Sequence, residues 1–522
     1  MELLIKGGRI FDGSGNPWFK ADLVVENGRI AAIGRIKNAA EEVIDAEGLV
    51  VAPGFIDTHS HSDLMLIAEP EARVKVMQGI TTEIVGQDGL GEAPIRGDLL
   101  DDWRRYLSGL NGDPEIEWDW RSFSDYLNRL ERARPATNVA SLVGHGNLRL
   151  LTMGMEERRP TEEEMEEMRR LLAEALEEGA LGLSTGLIYP PCSYSDPEEL
   201  SSLCQVVREY GGIFVAHMRN EGDRIIEALE EIFTIGRGAR TPIHISHLKT
   251  SGERNWGRMV EILEMIESAR GEGIDITFDQ YPYIAGSTFL SSLLPGWAHE
   301  GGPSKMLERI RDTASRRKIL EEMERPRGER WDGIIISSVK TEENRRLIGK
   351  RIDEAASEMG LSPQELVLKL IEEEENAVSM ILFSMSETDV ETAMRSRLGM
   401  VCTDGLVLGR PHPRAYGSFP RVLGRYVRDK GVLGLEEAVR KMTSLPAQRF
   451  GLMDRGLLRP GLAADITIFD PRYIRDKATF EDPRRFPDGI EYVIVNGEIT
   501  VEEGSYRGTR AGKVLRRGKL DL

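Results

Sequence analysis

Eight short apolar runs alternate with amphipathic helical stretches between Gly54 and Asp404, and no other feature limits the fold as strongly. They occupy residues 54–61, 81–86, 138–144, 180–188, 212–217, 242–247, 275–283 and 399–404. Parallel strands need a long crossover between them, usually a helix, so a strand–helix alternation of this length predicts an α/β protein with a parallel sheet. Eight such units close as a (β/α)8 TIM barrel, whose chemistry sits at the C-terminal ends of the strands. Residues 161–178 read as one of the helices, opened by a capping box of Thr161 and Glu164. The acidic run 162–167 is then a solvated helix face. A ninth apolar run, 377–383, is assigned with residues 284–398 to a long excursion after the seventh strand. Its Gly- and Pro-rich start, from Leu294-Pro295-Gly296-Trp297 to Gly301-Gly302-Pro303, suits a lid over the barrel mouth.

Both ends of the chain have a different texture. The first 52 residues alternate at period two and turn at Asn27-Gly28, a strong hairpin signal. The far end repeats the pattern in 464–469 and 492–495, then Asn496-Gly497 and 498–501. A few hairpins cannot bury a face alone, so residues 1–52 and 455–522 are expected to form one small β-sandwich, with the barrel over 53–454.

Composition narrows the function. With 522 residues and a net charge of −19, the chain is a soluble multidomain protein with no affinity expected for nucleic acid. Three cysteines, Cys192, Cys204 and Cys402, give neither a disulfide framework nor a zinc ribbon, which suits a reducing cytoplasm. No secretory leader or membrane span is expected from the sequence. Oligomeric state is left open, a homo-oligomer included.

The predicted strand ends carry a pattern of their own. His59 and His61 close the first strand, and residues two apart on a strand share a side. Asp88 follows the second strand, His217 ends the fifth, His247 the sixth and Asp404 the eighth. Singly, His217 or His247 reads as a core histidine, and Asp88 or Asp404 as a cap or turn residue. Together they converge on one rim as a site for one or two metal ions, zinc or a first-row neighbour, with hydrolytic chemistry. Such an ion acidifies a bound water, and Asp404 is the natural carboxylate to take that proton and return it to a leaving nitrogen. His244 is expected to face away from His247 as a structural residue, and His299 and His412 to lie in loops. His145 ends the third strand beside the ligands.

Several motifs carry a resemblance. His59-Ser60-His61, Ala180-Leu181-Gly182-Leu183-Ser184-Thr185-Gly186-Leu187, His217-Met218-Arg219-Asn220-Glu221-Gly222, Ser246-His247-Leu248-Lys249, Tyr281-Pro282-Tyr283-Ile284-Ala285-Gly286-Ser287 and Thr403-Asp404-Gly405 resemble the N-acyl-D-amino-acid deacylases (D-aminoacylases) of the amidohydrolase superfamily. The tail, Thr443-Ser444-Leu445-Pro446-Ala447 with Asp454-Arg455-Gly456-Leu457-Leu458-Arg459-Pro460-Gly461, is similar as well. The resemblance implies zinc-dependent hydrolysis of a small N-acyl-D-amino acid to the D-amino acid and a carboxylate. It implies that His217 and His247 hold the tighter ion, and His59, His61 and Asp404 the second. It further implies that Lys249, Tyr283, Ser287 and Arg414 bind the substrate α-carboxylate and that Tyr189 faces the scissile carbonyl. Arg219, Asn220 and Glu221 are read as shaping their loop.

One position departs from the family. Where its members have Gly-Asn-Cys-Gly, this chain reads Gly86-Gln87-Asp88-Gly89, replacing a thiolate with a harder carboxylate ligand. Two other readings compete. A cyclic-amide hydrolase of the hydantoinase or dihydroorotase kind calls for a carboxylated lysine on the fourth strand, and 180–188 contains no lysine. A barrel turned non-catalytic binding protein tends to lose ligands, whereas here all four histidines and Asp404 stand.

Overall fold

The computed structural model describes residues 2–37, 40–323 and 330–518. Its centre is a ring of parallel strands. Phe55–Asp57, Ile80–Val85 and Asn138–Ser141 form one arc. The third strand resumes after Leu142 as Val143–Gly144 and opens the other arc, followed by Gly182–Gly186, Ile213–His217, Ile243–Ile245, Ile276–Gln280 and Gly399–Val401. Leu142 interrupts the ladder without opening the ring, because its N–H donates to Val85 O at 3.0 Å while Leu181 N donates to Ser141 O at 2.9 Å. The last seam, between first and eighth strands, is narrow. It consists of a parallel bridge between Ser60 and Gly405, with Asp404 N donating to His59 O at 2.9 Å. Every residue of these strands is buried, as expected where helices cover the outside and side chains fill the inside.

Helix Glu162–Glu177 shows how the outer layer is encoded. Thr161 Oγ1 accepts from Glu164 N at 3.2 Å and Glu164 Oε2 accepts from Thr161 N at 2.8 Å, the expected capping box. Met168, Leu172, Ala175 and Leu176, three or four apart, turn inward against the barrel core.

The excursion after the seventh strand has its own sheet, Ala285–Phe289, Ser379–Phe383 and Ile334–Ser338, all antiparallel. The 377–383 run is therefore the middle strand of this sheet and no part of the ring. Leu290, Ile310, Ile336, Ile352 and Leu366 belong to a separate core beneath it.

Strands from both ends share a single nine-stranded sheet, joined where Val50–Pro53 runs antiparallel to Ile466–Phe469. A bulge between Ile5 and Gly8 splits strand Leu3–Ile10, so that its first half pairs with Glu42–Asp45 and its second with Val50–Pro53. The sheet rolls until Arg29 bridges Ala463, enclosing Ile5, Leu23, Ile30, Ile466 and Ile494. Residues 513–515 return to the barrel, where Leu515 N donates to Val139 O at 2.7 Å. Among the described residues no helix is long and apolar enough to cross a membrane.

Candidate metal centre and substrate cavity

At the C-terminal rim of the ring, the imidazoles and carboxylates of five strand ends meet. His59 Nε2 and His61 Nε2 lie 3.3 Å apart. Asp404 Oδ1 stands 3.3 Å from His61 Nε2 and 3.7 Å from His59 Nε2. Asp88 is central: Oδ1 is 3.6 Å from His59 Nε2, 3.6 Å from His217 Nδ1 and 3.7 Å from His247 Nε2, and Oδ2 is 3.6 Å from His61 Nε2. These separations are too long for good hydrogen bonds. They match ligand atoms around one ion, since donors about 2.1 Å from a tetrahedral zinc stand roughly 3.4 Å apart.

The donor set fits such an ion on a second count. Asp88 Oδ1, His217 Nδ1 and Nε2, and His59 Nδ1 are buried without a hydrogen-bond partner, an expensive arrangement unless something else satisfies them. Among the described residues three triads have their donor atoms within 4.8 Å of one another: His59–Asp88–His247, His59–His61–Asp404 and His217–Glu221–His247. Burial opposes ionisation of Asp404, yet Arg414 and the His61 contact hold it well below the usual carboxylate range. Burial likewise opposes the charge on Asp88, and His59, His217 and His247 overcome it. Against the same opposition, Asp404 and Asp88 raise His61 to about 9. A dication answers such a field without protons.

The backbone that aims these groups is under tight control. In the Asp88 loop, Gly86, Asp88 and Gly89 all adopt left-handed φ values of 74°, 57° and 72°. A Cβ on Gly86 would fall 2.2 Å from Leu142 O, and aspartate is among the few side chains that tolerate this region. Ser184 clamps the loop, its hydroxyl donating to Gly86 O at 2.6 Å and accepting from Gly89 N at 3.0 Å. His247 also has positive φ, 34°, and its N–H donates to Asp279 Oδ1 at 2.5 Å. Asp279 Oδ2 in turn binds His244 Nε2 at 2.9 Å and accepts from Thr58 Oγ1 at 2.6 Å, which fixes His244 as structural. Beneath the first and eighth strands, buried Lys75 reaches Asp57 Oδ2 at 2.6 Å, Ser60 Oγ and Thr403 Oγ1 at 2.9 Å each, and Glu83 Oε2 at 3.3 Å.

The cluster forms the floor of a cavity of about 920 Å³, which Tyr189, Lys249, Ser287 and Arg414 also line. Tyr189 stands edge-on to His217 with ring centres 5.2 Å apart, its hydroxyl 3.0 Å from Thr288 Oγ1. Lys249 Nζ donates to Glu221 Oε1 at 2.6 Å and lies 2.7 Å from His247 Nδ1. Arg414 is fully buried, with Nη1 2.8 Å from Asp404 Oδ2 in an ion pair that lacks hydrogen-bond alignment, and Nη2 donating to Ser287 O at 3.0 Å. The Ser287 hydroxyl itself donates to Met380 O at 2.8 Å.

Tyr283 departs from expectation. It is absent from the cavity wall; its hydroxyl is 3.4 Å from Pro413 O and its ring packs edge-on to His412 at 5.2 Å. The turn at Pro282, closed by Tyr283 N on Tyr281 O at 3.0 Å, reverses the chain and presents Tyr281 instead. The Arg414 guanidinium lies 4.4 Å from the Tyr281 ring centre and Lys249 Nζ 5.8 Å. Glu221 also departs from the expectation that it shapes its loop. Arg219 and Asn220 do shape the loop, Arg219 through Glu231 and two carbonyls, Asn220 through Gly222 N and Arg224 N. Glu221 joins the cluster, 3.1 Å from His247 Nδ1 and 3.6 Å from His217 Nε2. His145 binds Thr185 and Glu199 and touches no member of the cluster. His299 and His412 bind backbone carbonyls.

The family model described as "Amidohydrolase family" matches residues 42–332 and 375–501. The chain belongs to the amidohydrolase family. The stretch between the two matched parts lies in the excursion and contains strand Ile334–Ser338 with helices Ile352–Met359 and Pro363–Glu373. This amidohydrolase is 40% identical to a D-aminoacylase of Alcaligenes xylosoxydans xylosoxydans over 99% of this chain and 98% of that one. It is 38% identical to an N-acyl-D-glutamate deacylase of the same organism, over 99% and 97%. In three dimensions it resembles the N-acyl-D-glutamate deacylase of Bordetella bronchiseptica, crystallised with zinc and a phosphonate mimic of the tetrahedral intermediate. The TM-score is 0.84, with 36% identity over 99% of both chains.

Proposed function

We propose that this amidohydrolase cleaves the linear amide of N-acyl-D-amino acids, releasing a D-amino acid and a carboxylate. The observation that carries the reading is one cavity holding both a histidine–aspartate cluster and the buried cations Arg414 and Lys249, each near the Tyr281 ring. His59, His61, Asp88, His217, His247 and Asp404 would hold one or two zinc ions, with Glu221 within reach of the second histidine pair. Bound zinc supplies a Lewis acid for the amide carbonyl and makes a nearby water more acidic. Asp404 Oδ1 accepts the water proton and delivers it to the leaving nitrogen, a transfer typically worth 10²–10⁴-fold. Arg414, with a planar fork, and Lys249, with a compact charge, orient the α-carboxylate, and Tyr281 rather than Tyr283 backs both. Ser287 and Tyr189 complete the wall near the scissile bond.

The curated relatives support the substrate class, and Asp88 in the loop after the second strand favours harder ions than a thiolate would. We place the catalytic unit at 53–454 and a β unit at 1–52 with 455–522, in the cytoplasm, with a small-molecule partner and neither nucleic acid nor membrane. The test is a release assay on N-acetyl amino acids of both configurations with zinc, cobalt and manganese. Cleavage of D- but not L-isomers is expected, and failure to cleave any D-isomer with any metal refutes the reading.

A further inference from the structure

On the deacylase reading, on which this inference rests, Tyr281 backs the two cations that take the substrate α-carboxylate, yet its own polar contact does little to hold it there. Its hydroxyl meets the Met385 sulfur at 3.7 Å, a weak acceptor. The backbone turn at Pro282 therefore sets its place, with Tyr283 N donating to Tyr281 O at 3.0 Å. Pro282 has no N–H with which to anchor that turn, so the anchoring falls to its carbonyl. The oxygen accepts from Arg421 Nε at 2.8 Å and from the Tyr426 hydroxyl at 3.3 Å. The Arg421 guanidinium also lies 4.5 Å from the Tyr283 ring centre, so it holds the outward-facing ring together with the turn.

The shape of one helix brings both donors to one oxygen. It begins at Arg414, contains Pro420, and continues over Val422–Asp429 as a π-helix. Pro420 removes an ordinary helical hydrogen bond, and beyond it the coil widens to i→i+5 bonds, as from Lys430 N to Arg425 O at 2.9 Å. With that spacing, residues five apart such as Arg421 and Tyr426 stand almost one above the other. The rest of the Arg421 fork leaves the barrel. Nη1 pairs at 2.8 Å with Oδ2 of Asp476, which lies in the connection between sheet strands Ile466–Phe469 and Ile490–Val495. Two glycines let that connection rest on the helix. A Cβ on Gly424 would fall 2.6 Å from Ile474 O, and one on Gly417 would fall 2.9 Å from Asp476 Cβ and 2.7 Å from the Tyr283 hydroxyl. A planar guanidinium can serve the carbonyl and the carboxylate at once, which a single ammonium does poorly.

We propose that Arg421 is a positioning residue for substrate binding: braced by Asp476 of the β unit, it clamps Pro282 O and so holds Tyr281 against Arg414 and Lys249. The zinc-loaded full chain carrying Arg421→Met is to be compared with the parent on the N-acetyl-D-amino acid that the parent cleaves fastest. KM is expected to rise roughly 3–10-fold with kcat held within about twofold. Because Arg421 acts through Tyr281, adding Arg421→Met to Tyr281→Ala should change KM by less than about twofold further. An arginine that serves folding alone would lower the melting temperature without this split between KM and kcat. An unchanged KM, an equal loss in kcat, or full additivity with Tyr281→Ala overturns the proposal. Should Arg421→Met fail to fold, Asp476→Asn and Tyr426→Phe each remove one contact and keep the packing; each is expected to raise KM at least about twofold in the parent but not in Tyr281→Ala, and any other result overturns the proposal. Hydrogen exchange supplies a reading that needs no turnover. The Tyr283 amide should exchange at least about tenfold faster in the variants than in the parent, and an unchanged rate overturns the clamp. If the parent cleaves no N-acetyl-D-amino acid, the deacylase reading fails and this exchange rate alone decides the clamp.

Discussion

Replacing Lys75 with methionine removes one charge from a fully enclosed ionic network of the barrel. The ammonium is fully buried, 2.6 Å from Asp57 Oδ2 and 3.3 Å from Glu83 Oε2, with Ser60 and Thr403 hydroxyls at 2.9 Å. Methionine matches its length but leaves two carboxylates inside without a cation, and breaking a buried pair from one side costs about 3–5 kcal/mol. With an unfolding entropy of about 2.1 cal/mol/K per residue, 522 residues melting as one unit would lose roughly 3–5 °C. The loss depends on pH. Burial already raises Asp57 above the usual carboxylate value despite Lys75, and without the lysine that rise grows. A carboxyl whose folded pKa is raised binds protons more readily folded than unfolded, so the variant is least penalised in acid and more so as pH climbs through that pKa. Because Ser60 lies between His59 and His61 and Thr403 precedes Asp404, zinc affinity should fall about 10–100-fold. Thermal melts at pH 5.5 and 8, with metal content by mass spectrometry, check both effects. A Lys75→Met protein that melts within 1 °C of the parent and keeps its full metal complement refutes the reasoning.

The remaining expectations are shorter. Asp404→Asn should lower kcat by about 10²–10⁴-fold with most metal retained, read by steady-state kinetics beside metal analysis; near-normal kcat removes Asp404 from proton transfer. Asp88→Ala should release metal under dialysis at concentrations that leave the parent loaded, whereas Asp88→Cys should hold it and shift preference from manganese toward zinc. Tyr281→Ala should raise KM by roughly 3–10-fold through loss of the ring facing Arg414 and Lys249, while Tyr283→Phe leaves KM within about twofold. Burial disfavours charge on His145, but Cys192 and Glu199 raise it to about 9, so its contribution is present in full below the unfolded value near 6.5 and disappears as pH rises through about 9. His145→Gln should therefore flatten stability over that interval, by roughly 3 kcal/mol at about 1.36 kcal/mol per pH unit; an unchanged pH profile of melting excludes this.

The eight ring strands were legible because strands buried on both faces must be apolar almost throughout, and the first, fifth, sixth and eighth runs end on the histidine or aspartate that reaches the rim. The six expected ligand residues meet for the same reason: a strand end fixes where its side chain goes. Tyr283 and Tyr281 show where this logic stops. Both flank Pro282, and only the turn geometry decides which one faces the cavity. Glu221 was obscured because its neighbours Arg219 and Asn220 do have loop roles, and nothing local distinguishes it. Lys75, between Val74 and Val76, gives no local sign of burial either. Its partners Asp57 and Glu83 lie on the neighbouring first and second strands and Thr403 follows the eighth, so only the closed ring assembles all three.

The narrow seam between the first and eighth strands has a developmental consequence. Ser60 and Gly405, which make its one bridge, are immediate neighbours of His61 and Asp404, so the stitch that completes the cylinder also completes the reactive centre. A growing chain emerging from the ribosome holds its first two imidazoles ready for some 340 residues before Asp404, the second of their acidic partners, is made. Full ion capture is thus a late event in biogenesis, and its onset during refolding would time the moment the cylinder shuts.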